Sequence, residues 1–433
     1  MRSQVHKIAL SGLVALAAVL GVAAVPSVAL AQPTAAVRPG STARPAAVGE
    51  IDLGEPRISC LTAKNCLAIE GSSAASAGTA TPTVVARWNG SAWQRLRVTL
   101  PKGTRADDLL GVSCKGAKSC LVVGDYFTST SESAAGHVLA LIYNGTSLKP
   151  TPTVPLPKGT SDVTLASVSC VTTRYCVALG EAAGDTSAFG KYGQLSLIET
   201  WNGAKWTLHT VAVSSGKTMV EPTALSCANT AFCVLTGNSI TLTSNSGTSK
   251  LYAASWNGKK LTAMKPAAVS GSSSFLFPID VSCATASNCA VTGIAEDISS
   301  STPNEAAFTE IWNGKAWQLA KVAWPKAITT TFMDGVSCYG AHSCESVGID
   351  SVDPVTSSTG TADAVAVSYN GTAGTLQAVP APSKGYSNEF ADVSCLPWGS
   401  CVAVGETGKS TTKTPALMTG VWNGKAWKLA PGF

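Results

Sequence analysis

Apolar residues along this chain come in short runs, many of them β-branched, and no segment sustains a helical period. Gly, Pro, Asn and Ser bound the runs, so the elements predicted are strands joined by turns. The stretch from Phe390 to Leu429 shows the unit clearly. Phe390–Cys395, Cys401–Gly405, Ala416–Trp422 and Ala426–Leu429 read as four consecutive antiparallel strands. The same order recurs seven times: a Val-Ser-Cys type strand, a five-residue loop, a second Cys, a strand ending in Gly, a variable stretch, and an aromatic-Asn-Gly turn.

The first Cys of each unit follows the previous one at intervals of 54–57 residues, a period that signals propeller blades or solenoid turns. Four antiparallel strands per unit select the propeller. The fold class predicted is all-β, a seven-bladed β-propeller over residues 51–433. Residues 1–31 read as an export signal: Arg2 and Lys7, an apolar run from Ile8 to Val25, and Ala29-Leu30-Ala31 as a cleavage site. Residues 32–50, rich in Pro, Ala and Thr, read as a flexible lead-in. No other segment is apolar enough to span a bilayer.

The 14 cysteines form seven pairs: Cys60/Cys66, Cys114/Cys120, Cys170/Cys176, Cys227/Cys233, Cys283/Cys289, Cys338/Cys344 and Cys395/Cys401. An even count behind an export signal, with identical spacing in every unit, predicts one disulfide per blade, closing the hairpin between its first two strands. Zinc would ask for closer Cys spacing and for His, and the expected mature chain has only His137, His209 and His342, far apart in sequence.

Charged residues make up 13% of the chain and the formal net charge is +5, about +3 once Arg2 and Lys7 are removed. That balance is too mild and too dispersed in sequence to suggest nucleic acid or an anionic membrane. It also leaves few groups for acid–base chemistry.

Seven Asn-Gly pairs, from Asn89-Gly90 to Asn423-Gly424, predict the hairpin between the third and fourth strands, on the expectation that both residues take positive φ. Four of these turns are flanked by two Trp: Trp88/Trp93, Trp201/Trp206, Trp312/Trp317 and Trp422/Trp427. Trp256/Leu261 and Tyr143/Leu148 break the pattern. With the aromatic hairpin and a Pro-containing exit such as Val379-Pro380-Ala381-Pro382, the unit resembles a kelch-type blade. Kelch blades carry Gly-Gly where this chain has Gly124-Asp125, Gly180-Glu181 and Gly405-Glu406, and they lack the paired Cys. The resemblance implies that the first strand is innermost. The Cys hairpins and Asn-Gly turns then share one face, and the variable loops share the other. The segment Ala47–Leu53 is a candidate for a strand that closes the ring.

On the variable face, loops held by a rigid scaffold are the natural place for function. Candidate ligand-binding residues are Asp125, Glu181, Asp350 and Glu406, which open the loops after the second strands, together with Trp88, Trp201, Trp312 and Trp422, whose rings suit sugar stacking. The plainer readings are loop solubility for the acids and hairpin packing for the rings. Ser precedes the first Cys in every unit (Ser59, Ser113, Ser169, Ser226, Ser282, Ser337, Ser394), which on an innermost strand places a ring of hydroxyls at the hub to satisfy backbone groups. No nucleophile elbow, Asp-box or metal-ligand pattern is present, so no catalytic residue, metal or cofactor is assigned. The expectation is a secreted monomer, bacterial by its Ala-rich signal, either free or associated with the cell wall. It would act as a non-enzymatic binding module for a cell-wall or environmental glycan or an extracellular protein. The alternative is a hydrolase or lyase working through the loop carboxylates.

Overall fold

A computed structural model describes residues 55–432, apart from 71–82, 130–133, 185–193, 212–217, 243–246, 268–273, 298–303, 327, 353–361, 383–386 and 409–415. The predicted export signal, the lead-in and the segment 47–53 lie outside the described residues. The described chain forms seven sheets, each with four consecutive antiparallel strands in sequence order, which is the predicted propeller. Two blades gain a short parallel fifth strand from the exit of the blade before them, Arg97–Val98 beside Ser147–Pro150 and Lys321–Val322 beside Ala373–Gln377.

All seven predicted disulfides are present, and no cysteine is free: Cys60–Cys66, Cys114–Cys120, Cys170–Cys176, Cys227–Cys233, Cys283–Cys289, Cys338–Cys344 and Cys395–Cys401. Each joins residues directly opposite on the first two strands, with Cα atoms 3.8–4.0 Å apart. The bonds are part of the core rather than of the surface. The second cysteines, Cys66, Cys120, Cys176, Cys233, Cys289, Cys344 and Cys401, are only 0–4% exposed. They pack among apolar neighbours, Cys120 beside Leu139 and Tyr143, Cys233 beside Leu235 and Trp256, Cys289 beside Val291 and Trp317, and Cys344 beside Val367 and Tyr369. Cys120, Cys233, Cys289 and Cys344 are therefore sites of cross-linking alone, closed to solvent and to any ligand. Such bonds fit an oxidising, extracellular setting, and among the described residues no helix is long and apolar enough to cross a membrane.

The first strands are joined around the hub by one repeated hydrogen bond. Each Ser Oγ accepts from the backbone N–H of the first Cys in the next blade, as in Ser59 to Cys114, Ser113 to Cys170 and Ser337 to Cys395, at 2.9–3.0 Å in every case. The last blade completes the circle, with Ser394 accepting from Cys60. No strand is exchanged across this seam within the described residues. Packing of Ile58, Ala68 and Trp88 against Val402 and Val404 supports it, as does a hydrogen bond from Trp93 Nε1 to Thr419 Oγ1 at 2.9 Å.

The glycine ending each second strand answers to a bulge. In blades two to seven the first strand slips register just before its Val-Ser-Cys segment, and a Cβ at Gly405, for example, would overlap the carbonyl oxygen of Glu389. In the first blade, Glu70 holds this register. The inner strand there begins only at Arg57, opposite Ile69, so no bulged carbonyl faces Glu70.

The Asn-Gly turns differ from the expectation in one respect. All seven glycines have positive φ, from 57° to 100°, but no described non-glycine residue does. In six blades the loop between the flanking pair holds four residues rather than two, as Trp88 pairs with Trp93, and only in the sixth, where Asn370 pairs with Ala373, does it hold two. Asn therefore works through its side chain: Asn89 Oδ1 accepts from the N–H groups of Ser91 and Ala92, both at 2.9 Å.

Candidate functional site

The register three residues before the first Cys reads Arg57, Gly111, Ser167, Ala224, Asp280, Gly335 and Asp392 around the ring, and Ser167, Asp280 and Asp392 reach from it to the first strand of the next blade. Two of its carboxylates have structural work. Asp280 accepts from the N–H of Val281 at 2.8 Å and from Val336 of the next blade at 2.9 Å. Asp392 likewise accepts from Val393 at 2.7 Å and from Ile58 across the seam at 2.8 Å. Each Asp follows a blade with Ala224 or Gly335 at this register, neither of which has a side-chain acceptor to offer. The carboxylate thus satisfies its own neighbour and the next blade together. Ser167 does the single version of this, accepting from Leu225 at 3.3 Å.

Arg57 stands among these acids. Its guanidinium donates to Glu55 Oε2 at 3.1 Å and to the Ala391 carbonyl at 3.5 Å. Burial works to lower its pKa, but Glu55, Asp392 and Asp280 outweigh it and raise it overall. Asp334, at the bulge of the sixth blade, is 2% exposed, and neither of its oxygens has a hydrogen-bond partner among the described residues. Burial, with Glu55 and Glu389 nearby, holds its carboxyl well above the usual range.

A second tier of acids stands where the second strands leave the hub. The four predicted acids fall on four different blades and pair locally rather than with one another. Glu406 lies directly opposite Glu389. Burial, then Glu389 and Glu70, push Glu406 up to about 8, and burial takes Glu389 to about 7. Glu181 is raised to about 8 by burial and by Glu221 of the next blade, itself raised by burial to about 7. Asp350 lies opposite Asp363 and rises to about 6 through burial and that neighbour. Asp125 faces Asp108, and the adjoining Asp162 accepts from Gly136 N. The loops these acids open lie largely outside the described residues. Among the described residues, no group of three or more His, Cys, Asp or Glu is arranged to hold a metal ion.

The paired Trp rings pack on each other across their hairpins, with centroids 5.2–5.7 Å apart. Trp88 and Trp201 are 1% and 3% exposed and so closed to a ligand, while Trp312 and Trp422 are half-buried. The aromatic most open to solvent among the described residues is Trp398, 66% exposed in the Cys395–Cys401 loop. Sequence reasoning passed over Trp398, Arg57, Asp280, Asp334, Asp392 and Glu389. The available signal was a register that varies between small and charged residues beside a Ser present in every unit.

No protein-family model matches the chain, and no curated protein sequence matches it. Solved structures with a similar course include a polysaccharide lyase of the ulvan lyase PL25 family (TM-score 0.47, 9% identity, 89% of this chain and 92% of that one). They also include the β-propeller domain of the Trilobed protease from Pyrococcus furiosus, described as having an open velcro topology (TM-score 0.45, 8% identity, 87% and 96%). A third is an α-L-arabinanase from Penicillium chrysogenum (TM-score 0.41, 8% identity, 70% and 89%). Likeness at this level carries no functional argument. The chain is a seven-bladed, all-β propeller of four-stranded blades, each closed by its own disulfide.

Proposed function

We propose that this is an exported, non-enzymatic binding module that takes a glycan at the carboxyl-bearing mouth of the propeller. The carrying observation is the uniform direction of the shifts there. Glu181, Glu389 and Glu406 are all raised by burial, to about 8, 7 and 8, and are only half-buried, so near neutral pH they keep a substantial share of the uncharged acid, able both to donate and to accept hydrogen bonds to sugar hydroxyls. Glycoside hydrolysis asks for one carboxyl held protonated beside another held ionised. Dispersal of the acids over several blades suits repeated polar contacts better than one reaction centre.

A second reading rests on Glu389 and Glu406, which lie directly opposite each other and are both raised by burial. If one ionises while the other keeps its proton, the pair could act in hydrolysis. The test is to incubate oxidised residues 32–433 with insoluble cellulose, chitin, peptidoglycan and other polysaccharides, and to assay retention together with sugar release. Retention without release supports binding. Release transfers the assignment to the Glu389/Glu406 pair, and the absence of both shifts it to a protein ligand. Binding at the mouth should weaken as pH rises from about 6 to 9, because the acids ionise and cease to donate.

A further inference from the structure

The face opposite the mouth carries a segregated charge that the net value hides. It is built from the seven Cys loops and the seven Asn-Gly loops, which lie at the same end of every blade because the second Cys of each hairpin pairs with the aromatic before Asn-Gly, as Cys66 does with Trp88. These 14 loops contain nine Lys or Arg and not one Asp or Glu, in a chain with 31 cations and 26 acids. Lys64, Lys118 and Arg174 hold the same position in three consecutive blades, two residues before the second Cys. Each lies over the glycine of its own Asn-Gly turn, where a Cβ would press on the side chain. Lys259, Lys260 and Lys315 continue the arc through the next two blades. All six are exposed, and none makes an ion pair among the described residues. On the other side of Lys64, in the neighbouring seventh blade, stands Trp398, its indole N–H held by Ser400 Oγ at 2.9 Å so that the exposed ring is fixed in orientation.

We propose that this face docks a linear polysaccharide bearing carboxylates, a polyuronate, independently of the mouth. Spaced cations answer a polymer with single negative charges along its length, and a fixed exposed indole offers a platform for a pyranose ring. Eight of the nine cations are Lys, which act as point charges; a surface selecting sulfate or phosphate would favour the bidentate fork of Arg.

The test measures polygalacturonate binding to oxidised residues 32–433, with neutral dextran and anionic phosphatidylglycerol vesicles in parallel. Binding to polygalacturonate but not dextran, falling steeply between about 50 and 200 mM salt, is expected by analogy with other polyelectrolytes. The triple variant Lys64→Gln, Lys118→Gln, Arg174→Gln should bind about tenfold more weakly. Trp398→Ala should lose on the order of tenfold, with Trp398→Phe recovering most of it. The substituted side chains are exposed, and unchanged circular dichroism would confirm folding. Absence of polygalacturonate binding at low salt, equal binding by wild type and both variants, or binding to the vesicles alone would overturn the proposal.

Discussion

Replacing Ser394 by Ala removes the acceptor for Cys60 N–H at the seam, and Ser226→Ala does the same for Cys283 at an internal junction. Leaving a buried N–H without a partner costs about 1–3 kcal/mol. The hub serines are half-buried, so water can compensate in part, and we take about 1.5 kcal/mol for each. Seven such bonds would then total roughly 10 kcal/mol, the size of a whole domain's stability. Urea unfolding followed by Trp fluorescence should show a lower midpoint with unchanged slope in both variants. The double variant should lose about 3 kcal/mol, since the two sites share no partner. Ser394→Thr, which keeps a hydroxyl, should lie between Ser394→Ala and wild type. Losses under about 0.5 kcal/mol in both single variants would refute the reasoning, because they would mean that solvent serves these amides as well as the hydroxyls do.

Glu199 is fully buried with neither oxygen partnered among the described residues, and burial raises it from 4.5 to about 8. A raised carboxyl contributes stability that is fully present below its unfolded pKa and lost as pH rises through the folded value. Stability should therefore fall between about pH 4.5 and 8, and Glu199→Gln should remove up to about 5 kcal/mol of that fall in urea titrations at several pH values. Gly405→Ala, whose Cβ would overlap the Glu389 carbonyl, should cost about 2 kcal/mol or more, with a normal midpoint counting against the bulge argument. Opening one blade with Cys170→Ala and Cys176→Ala should cost about 2 kcal/mol by loop-closure entropy; a loss near zero would mean that the local hairpin already confines the unfolded chain.

What repeats was legible in the sequence. Seven Cys pairs at one spacing, seven serines before them and seven Asn-Gly turns marked the blades, their bonds and their shared faces, because each is satisfied within its own blade or by the same residue of the next. What does not repeat stayed hidden. Asp280 and Asp392 have a role only because the blades before them offer Ala224 and Gly335 at the facing register, a relation between residues more than 50 positions apart. Local conformation misled at Asn89, Asn144, Asn202, Asn257, Asn313 and Asn423, where the side chain accepts two backbone hydrogen bonds while the backbone stays out of the positive-φ region. The cations of the turn face looked dispersed for a related reason: a few per unit along the chain become an arc once the units form a ring.

Each disulfide spans six positions and stays inside one hairpin. Fourteen thiols allow on the order of 10⁵ complete pairings, yet here the correct partner is the thiol nearest along the chain, and it can be reached as soon as a single hairpin has emerged. A chain threaded unfolded through a membrane and oxidised on arrival could lock its blades one after another before any neighbour exists to mispair with. Ring closure would then be the last step, requiring hydrogen bonds and packing but no further covalent chemistry.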